Sequence, residues 1–124
     1  MKSYKDLDVY KRSYKLALNI HKISLLLPKT YQHNLVDQIR RASHSVPANI
    51  AEAYGRNKSG RDIISQLRTA LGSNDEVLFN LNFLKDADLI KDTDFKEFSS
   101  DCEICGKQLT NLIKSINQKL ATSY

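Results

Sequence analysis

Glycine and proline are scarce in this chain, and the sequence contains no alternating pattern typical of strands. The 124 residues include 4 Gly and 2 Pro, and no run alternates Val, Ile or Thr with polar residues. Turns between strands depend on Gly and Pro, and strands favour β-branched residues in alternation. The composition therefore argues against a β-rich domain and predicts helices joined by short loops.

Long apolar runs and cysteine clusters are also missing. No apolar stretch approaches the roughly 20 residues that a membrane-spanning helix needs, and the start, Met-Lys-Ser-Tyr-Lys-Asp, has no apolar segment typical of a secretion signal. We therefore expect a cytoplasmic protein. A zinc site needs about four ligands, whereas the chain has 2 Cys, Cys102 and Cys105, in a Cys-x-x-Cys spacing with no strand before it. We expect both to fill the core, with no metal and no cofactor.

Charge is unevenly distributed along the chain. Residues 1–68 hold 13 Lys and Arg against 5 Asp and Glu, whereas residues 69–124 hold 6 against 9. This asymmetry indicates a polyanionic partner for the first half, or head-to-tail self-association. The alternative is two solvated surfaces, with internal pairs such as Arg56 or Arg41 with Glu52. The candidates for contact with nucleic-acid phosphates are Lys11, Arg12, Lys15, Arg40, Arg41, Arg56, Lys58, Arg61 and Arg68.

Apolar residues recur at steps of three and four, which predicts four helices, at about 6–27, 31–54, 60–87 and from 92 onward. Short loops between them predict an all-α, antiparallel up-down-up-down four-helix bundle, in a single domain over residues 1–124. Polar residues and Gly at the ends predict the caps. These are Thr30 for the second helix, Ser59 with Asp62 for the third, Asp94 with Glu97 for the fourth, and a left-handed Gly55 after the second.

Two helix-breaking positions lie inside these helices. Pro47 removes a backbone donor and either breaks the second helix or kinks it. Gly72-Ser-Asn-Asp75 is either a turn or part of a continuous third helix. The apolar positions keep their phase across both sites, which favours continuous helices. On that interpretation, Gly72 and Ser73 let a neighbouring backbone come close.

The apolar surface of the first helix is wider than one neighbour in a bundle covers. We therefore expect self-association. The alternative is that Tyr10 and Tyr14 lie half-exposed with their hydroxyls in water.

Polar residues lie on or beside the apolar face of the second helix, and we interpret them as a structural motif: Gln38, Ser45, Pro47, Asn49 and Glu52. Asn49 offers donors and an acceptor for backbone groups freed by Pro47, or for a neighbouring helix. Glu52 is expected to accept hydrogen bonds from Arg56 or from an amide near Gly55. The alternative is that the two residues bind a ligand.

Catalysis is not expected. His44 follows Arg40 and Arg41 too closely for the Arg-then-His motif of helical-bundle ribonucleases. No second group that would converge on His44 as an acid or base is evident.

Several of these segments together resemble a known family. They are Tyr-Lys-Asp-Leu near the start, Gln-Ile-Arg-Arg-Ala, Ser-Val-Pro-Ala-Asn-Ile-Ala-Glu at 45–52, Gly55-Arg56, and Leu-Gly-Ser at 71–73 with Glu76. The chain resembles the proteins encoded by intervening sequences in bacterial 23S ribosomal RNA genes, the S23 ribosomal protein family. It departs from the family pattern at Ala53, where Gly is usual, and at 31–33, where a Glu is frequent.

The resemblance implies an antiparallel four-helix bundle assembled as a homopentameric ring. A related branch, the accessory proteins of diversity-generating retroelements, binds nucleic acid and a reverse transcriptase. We therefore expect a non-enzymatic, oligomeric nucleic-acid-binding protein. RNA is the expected ligand, and DNA is the alternative ligand. The alternative is an assembly or adaptor scaffold, for example for a reverse transcriptase, without direct contact with nucleic acid.

Overall fold

The computed structural model describes residues 3–122, and all the regular elements in that range are helical. The four main helices are α1 (Asp8–Ser24), α2 (Leu35–Ala53), α3 (Gly60–Asp86) and α4 (Asp92–Thr122), with short 3-10 turns at Tyr4–Asp6 and Lys29–Tyr31. Each helix packs against the next, and α1 closes the bundle against α4. The predicted all-α four-helix bundle is confirmed. Residues 1–2 and 123–124 of the predicted domain lie outside the described range.

The core is built from one face of each helix, as the apolar periodicity predicts. Its fully buried side chains include Ile20, Ile50, Leu67, Leu81 and Leu109. Cys102 and Cys105 are also fully buried and are not bonded to each other, so the prediction that they fill the core is confirmed.

Both interior helix breakers lie within continuous helices. Pro47 is a buried residue inside α2, and Gly72 lies inside the 27-residue α3. The preference for continuous helices over breaks is confirmed at both positions. Burial of Pro47 provides packing that offsets the hydrogen bond that proline cannot donate.

A polar cluster joins α2 to α3 on the side away from α1. The Ser45 and Ser73 hydroxyl oxygens lie 2.8 Å apart. The Asn49 side-chain amide donates to the Ser45 carbonyl and hydroxyl oxygens, at 2.8 Å in each case. The Asn49 carbonyl oxygen accepts a hydrogen bond from the Gln66 side chain of α3. Asn49 therefore reaches the neighbouring helix, one of the two roles predicted for it.

A second polar contact joins α3 to α4 in the core. The Asn74 side-chain amide donates to the Cys102 carbonyl at 2.9 Å, and the Cys102 thiol donates to the Asn74 carbonyl at 3.2 Å. A Cβ atom at Gly106 would lie 3.3 Å from the Asn74 side-chain nitrogen. The glycine therefore makes room for the buried amide.

The helix ends around the first loop differ from the prediction. The first helix begins at Asp8 and ends at Ser24, and not over 6–27, because 3-10 geometry takes over before it and turns follow it. Thr30 lies inside a 3-10 turn, so Asn34 caps α2, with its side chain accepting from the Leu35 amide at 2.6 Å.

Of the other predicted caps, one is confirmed and two are wrong. The capping box of Ser59 and Asp62 is confirmed, with reciprocal bonds of 3.1 and 3.0 Å. The prediction of a left-handed Gly55 is wrong, because the positive φ of this turn, 61°, is found at Asn57. Asn tolerates this conformation. The cap at Asp94 is also wrong, because α4 already begins at Asp92 and Asp94 lies within the first turn. Its negative charge there still favours the helix N-terminus.

Candidate nucleic-acid interface

The antiparallel topology gathers several predicted basic residues at one end of the bundle. The N-terminus of α3 meets the C-terminal part of α4 there, since a Cβ atom at Gly60 would press on the Leu120 side chain. The basic end consists of Arg56 and Lys58 in the loop before α3, and Arg61 and Arg68 on α3 itself. All four side chains are exposed. They are therefore available to a large anionic partner.

Arg61 and Arg68 line one shallow groove between α3 and α4. The groove encloses about 350 Å³, and Ser65 and Asn117 add a hydroxyl and an amide to its walls. Arg68 lies seven positions after Arg61, which corresponds to about two helical turns, so both lie on the same face of α3. Guanidinium, hydroxyl and amide groups together suit phosphate oxygens as hydrogen-bond acceptors.

None of the four side chains of the basic end forms an ion pair with a carboxylate within residues 3–122. Asp62 is the one carboxylic acid in residues 56–68. Hydrogen bonds from the Ser59 backbone and hydroxyl groups, with a smaller effect of Lys58, lower the pKa of Asp62. That carboxylate is therefore committed to the cap of α3.

The other predicted phosphate contacts lie elsewhere on the bundle, and Arg12 and Arg41 form ion pairs within the chain. Arg12 lies 3.4 Å from Asp8 and 3.2 Å from Asp101, and thus joins α1 to α4. Arg41 lies 3.1 Å from Asp37, but this pair is well exposed and contributes little. Lys11 and Lys15 are exposed on α1, on a different face of the molecule. The structure thus brings four of the nine candidates together at the basic end and places Arg40 and Arg41 in a separate groove.

Arg40 lines a groove that runs between α1 and α2, which we call the α1–α2 groove. Its volume is about 540 Å³, and its apolar walls include Tyr10, Tyr14, Leu18, Pro47, Ala48 and Ala51. The Arg40 Nε atom donates to the Ser24 hydroxyl at 2.6 Å. Its Nη2 atom is buried and has no hydrogen-bond partner among the described residues. Arg41, His21 and His44 add further nitrogen-bearing groups to the same groove.

The wide apolar surface predicted for the first helix is only partly covered. Tyr14 and Leu18 are 50% and 47% exposed, and Leu26 in the following turn is 85% exposed. Tyr10 is less exposed than Tyr14, and the two rings lie 5.8 Å apart.

The motif of α2 divides into two parts. Ser45 and Asn49 form hydrogen bonds with α3, as described above, and Pro47 is buried. Gln38 and Glu52 are exposed. The expected bond from Arg56 to Glu52 is absent from the described part of the chain, because α2 ends at Ala53 and the following turn places Arg56 beyond it.

Sequence reasoning missed two sets of surface residues. Lys114 lies three residues before Asn117 on α4, and hence on the face that borders the basic end. Phe79 and Phe83 on α3 are 68% and 46% exposed. Both residues lie outside the series of core positions Val77, Leu81 and Leu84, and this spacing could have indicated that they face solvent.

No group of three or more His, Cys, Asp or Glu side chains in residues 3–122 is placed to hold a metal ion. None of the helices in that range is both long and apolar enough to cross a membrane.

The fold and its surfaces define a small helical bundle whose candidate functional groups lie on the outside. A family model described as 23S rRNA-intervening sequence protein matches residues 5–111, so the chain belongs to this family. A crystal structure of a protein of unknown function from the S23 ribosomal protein family of Bacteroides thetaiotaomicron is similar, with a TM-score of 0.74 and 26% identity. The similarity covers 86% of this chain and 95% of that one. No curated protein shows significant similarity.

Proposed function

We propose that this protein is a non-enzymatic nucleic-acid-binding protein that contacts the phosphates of structured RNA through its basic end. The observation that carries the proposal is that Arg56, Lys58, Arg61 and Arg68 lie together, exposed, and without a carboxylate partner in the described structure. Membership of the 23S rRNA-intervening sequence protein family is consistent with a ligand of this kind.

Binding at this surface would depend on charge more than on base sequence. Arginine forks bind phosphate oxygens through two parallel hydrogen bonds, and such contacts position a nucleic acid without reading its bases. Each phosphate neutralised releases counterions, so affinity falls as salt rises. The protein should therefore bind related RNAs of different sequence with similar affinity.

The test is a charge reversal at the groove between α3 and α4. A variant with Arg61→Glu and Arg68→Glu should bind a structured RNA hairpin at least about tenfold more weakly at low salt, and its affinity should depend less on salt. Fluorescence anisotropy over a salt series measures both quantities.

The matched control is a variant with Lys91→Glu and Lys96→Glu, since these residues lie in and before the first turns of α4 and the change in net charge is the same. It should retain most of the affinity. Equal losses in the two variants would mean that net charge, and not the basic end, determines binding. Undetectable binding by the wild-type protein at low salt would overturn the proposal.

We also propose that the protein is a homo-oligomer, and the family resemblance implies a pentamer. The exposed Tyr14 and Leu18 side chains support association, because monomers rarely leave adjacent large apolar side chains in water. Light scattering at high protein concentration should give a mass several times 14.2 kDa. A single species of 14.2 kDa would refute this proposal.

A role as a protein adaptor, for example for a reverse transcriptase, is the second candidate. The exposed aromatic rings of Phe79 and Phe83 favour it, because aromatic side chains are enriched at protein interfaces. Affinity capture from native cells, with and without nuclease, separates the two candidates. A protein partner retained after nuclease treatment supports the adaptor role, and its loss supports a nucleic-acid bridge.

A further inference from the structure

The C-terminal half of α3 carries an exposed ridge, of which Asp75 and Phe79 also line a groove beside Gln38 and Arg41 of α2. Its residues follow one another at helical steps of three and four, and they are Gly72, Asp75, Phe79, Phe83 and Asp86. All five are exposed. Lys85 is turned away from this α3 ridge, with its ammonium nitrogen 4.5 Å from the centre of the Phe95 ring on α4. The ridge therefore presents aromatic rings flanked by carboxylates.

Gly72 is not required by packing within the chain. A Cβ atom built there would have no heavy atom within 4 Å, whereas Gly in a helix interior destabilises the helix relative to Ala. The sequence predicted that Gly72 lets a neighbouring backbone come close, and the described chain places none there. A close approach by a second molecule would use this position.

The α1–α2 groove has the opposite character. Its walls are aromatic and apolar, and Arg40, Arg41, His21 and His44 supply basic groups. The buried Nη2 atom of Arg40 lacks an acceptor within residues 3–122. A carboxylate that enters the groove would meet Arg41, His21 and His44, whose side chains are exposed.

We infer that the α3 ridge of one copy docks into the α1–α2 groove of a second copy. The aromatic rings of Phe79 and Phe83 match the apolar walls around Tyr14 and Leu18, and the ridge carboxylates face the groove arginines. The complementary surface is present on this same chain, which favours a second copy over a foreign acidic peptide. This inference rests on the self-association proposed above and adds the surfaces and their pairing.

The ridge and the α1–α2 groove adjoin at Arg41, which also lines a groove with Asp75 and Phe79. They are nevertheless unlike surfaces, so each contact joins a ridge to a groove. Each copy offers its ridge to one neighbour and its groove to another. Copies linked in this way build a closed ring or an open chain, whereas reciprocal docking of two copies would give a two-fold dimer. The mass of the wild-type assembly distinguishes these arrangements, because a reciprocal pair stops at two copies.

The test uses Leu18→Glu in the groove and Phe79→Glu on the ridge. Both positions are about half-exposed or more, so the fold should persist, as circular dichroism can verify. Each variant alone should associate at least about tenfold more weakly than wild type. A mixture should form a 1:1 heterodimer in native mass spectrometry, because one copy keeps an intact ridge and the other an intact groove.

Three outcomes decide the matter. A heterodimer limited to one copy of each variant supports the inference. A wild-type oligomer whose variants assemble normally, or whose mixture forms no heterodimer, overturns this inference and leaves self-association standing. A monomeric wild type overturns self-association and this inference together, whereas the RNA proposal is judged by its own titration.

Two further variants sharpen the result. Leu26→Glu is the matched control, because Leu26 is 85% exposed but lies outside the groove lining, and it should leave assembly intact. Gly72→Ala should raise the unfolding temperature of the monomer and yet weaken assembly about tenfold or more. Dissociation caused by Leu26→Glu, or unchanged assembly in Gly72→Ala, would contradict the proposed contact.

Discussion

Replacement of Asn49 by Ala should destabilise the protein because this side chain ties α2 to α3. Its amide nitrogen donates to Ser45 at 2.8 Å, and its oxygen accepts from Gln66 across the helix interface. Truncation leaves the partly buried Gln66 amide without its acceptor, which costs about 1–3 kcal/mol. For a chain of this size, that corresponds to a fall in melting temperature of about 4–12 °C.

Glu52→Ala is the natural comparison, because Glu52 lies three residues away in the same helix but is exposed. Surface substitutions of this kind change stability by less than about 0.5 kcal/mol. Asn49→Asp should destabilise the fold as Asn49→Ala does, since a carboxylate cannot donate to the Ser45 carbonyl. Thermal melts by circular dichroism, with denaturant titrations, provide the measurement. Equal stability of Asn49→Ala and Glu52→Ala would refute the reasoning.

Three further predictions concern the core between α3 and α4. Gly106→Ala should stabilise the protein by about 1 kcal/mol when Asn74 is also replaced by Ala, because Ala favours the helix over Gly. In the wild-type background the gain should be smaller, because the new Cβ would lie 3.3 Å from the Asn74 amide. Equal effects in a double-mutant cycle would contradict this prediction. Burial raises the pKa of Cys102 and of Cys105 from 9.0 to about 12, so both thiols should react with a thiol reagent at pH 8 only after denaturant is added. Above pH 9 the thiols ionise in the unfolded chain but not in the folded one, so stability should fall as pH rises, by about 1.4 kcal/mol per thiol at pH 10; the double variant Cys102→Ala and Cys105→Ala should lack this component.

The helices and much of the core were predictable because their signals are local. Apolar residues at steps of three and four define the buried face of each helix, and this pattern continued through Pro47 and Gly72. The capping box of Ser59 and Asp62 is a contact between residues three apart. Such features depend on helix geometry alone, and tertiary packing did not change them.

The first loop was less predictable because several residues compete for the same role. Thr30 and Asn34 are both suitable caps, and the choice depends on how the chain leaves α1. Here the Gln32 side chain favours Asn34 as the cap, because it donates to the Ser24 and Leu27 carbonyls at 3.2 and 3.0 Å. Those bonds close the C-terminal end of α1 and delay the start of α2 until Leu35.

The candidate site was only partly predictable, because a basic residue in a sequence does not reveal its tertiary partner. The pair of Arg12 with Asp8 follows from a spacing of four, but its contact with Asp101 joins residues 89 positions apart. Arg40 is held by Ser24 through the packing of α1 on α2. Arg61 and Arg68 lie on α3 near its start, where no described carboxylate pairs with them. Which of the predicted basic residues form the basic end therefore depends on tertiary contacts, and the sequence alone does not reveal those contacts.

The antiparallel topology separates the two proposed surfaces along α3. Arg61 and Arg68 lie in its N-terminal half beside the C-terminal half of α4, whereas Phe79 and Phe83 lie in its C-terminal half. A nucleic acid bound at the basic end would therefore leave the α3 ridge accessible to another copy. In an assembly, the repeated basic ends would bind one RNA with higher avidity than a single copy does. Arg61→Glu with Arg68→Glu should then leave the assembly mass unchanged, whereas Phe79→Glu should weaken RNA binding only through the loss of avidity. Scattering and anisotropy on the same samples measure both effects, and a change in assembly mass in the arginine variant would show that the two surfaces are not independent.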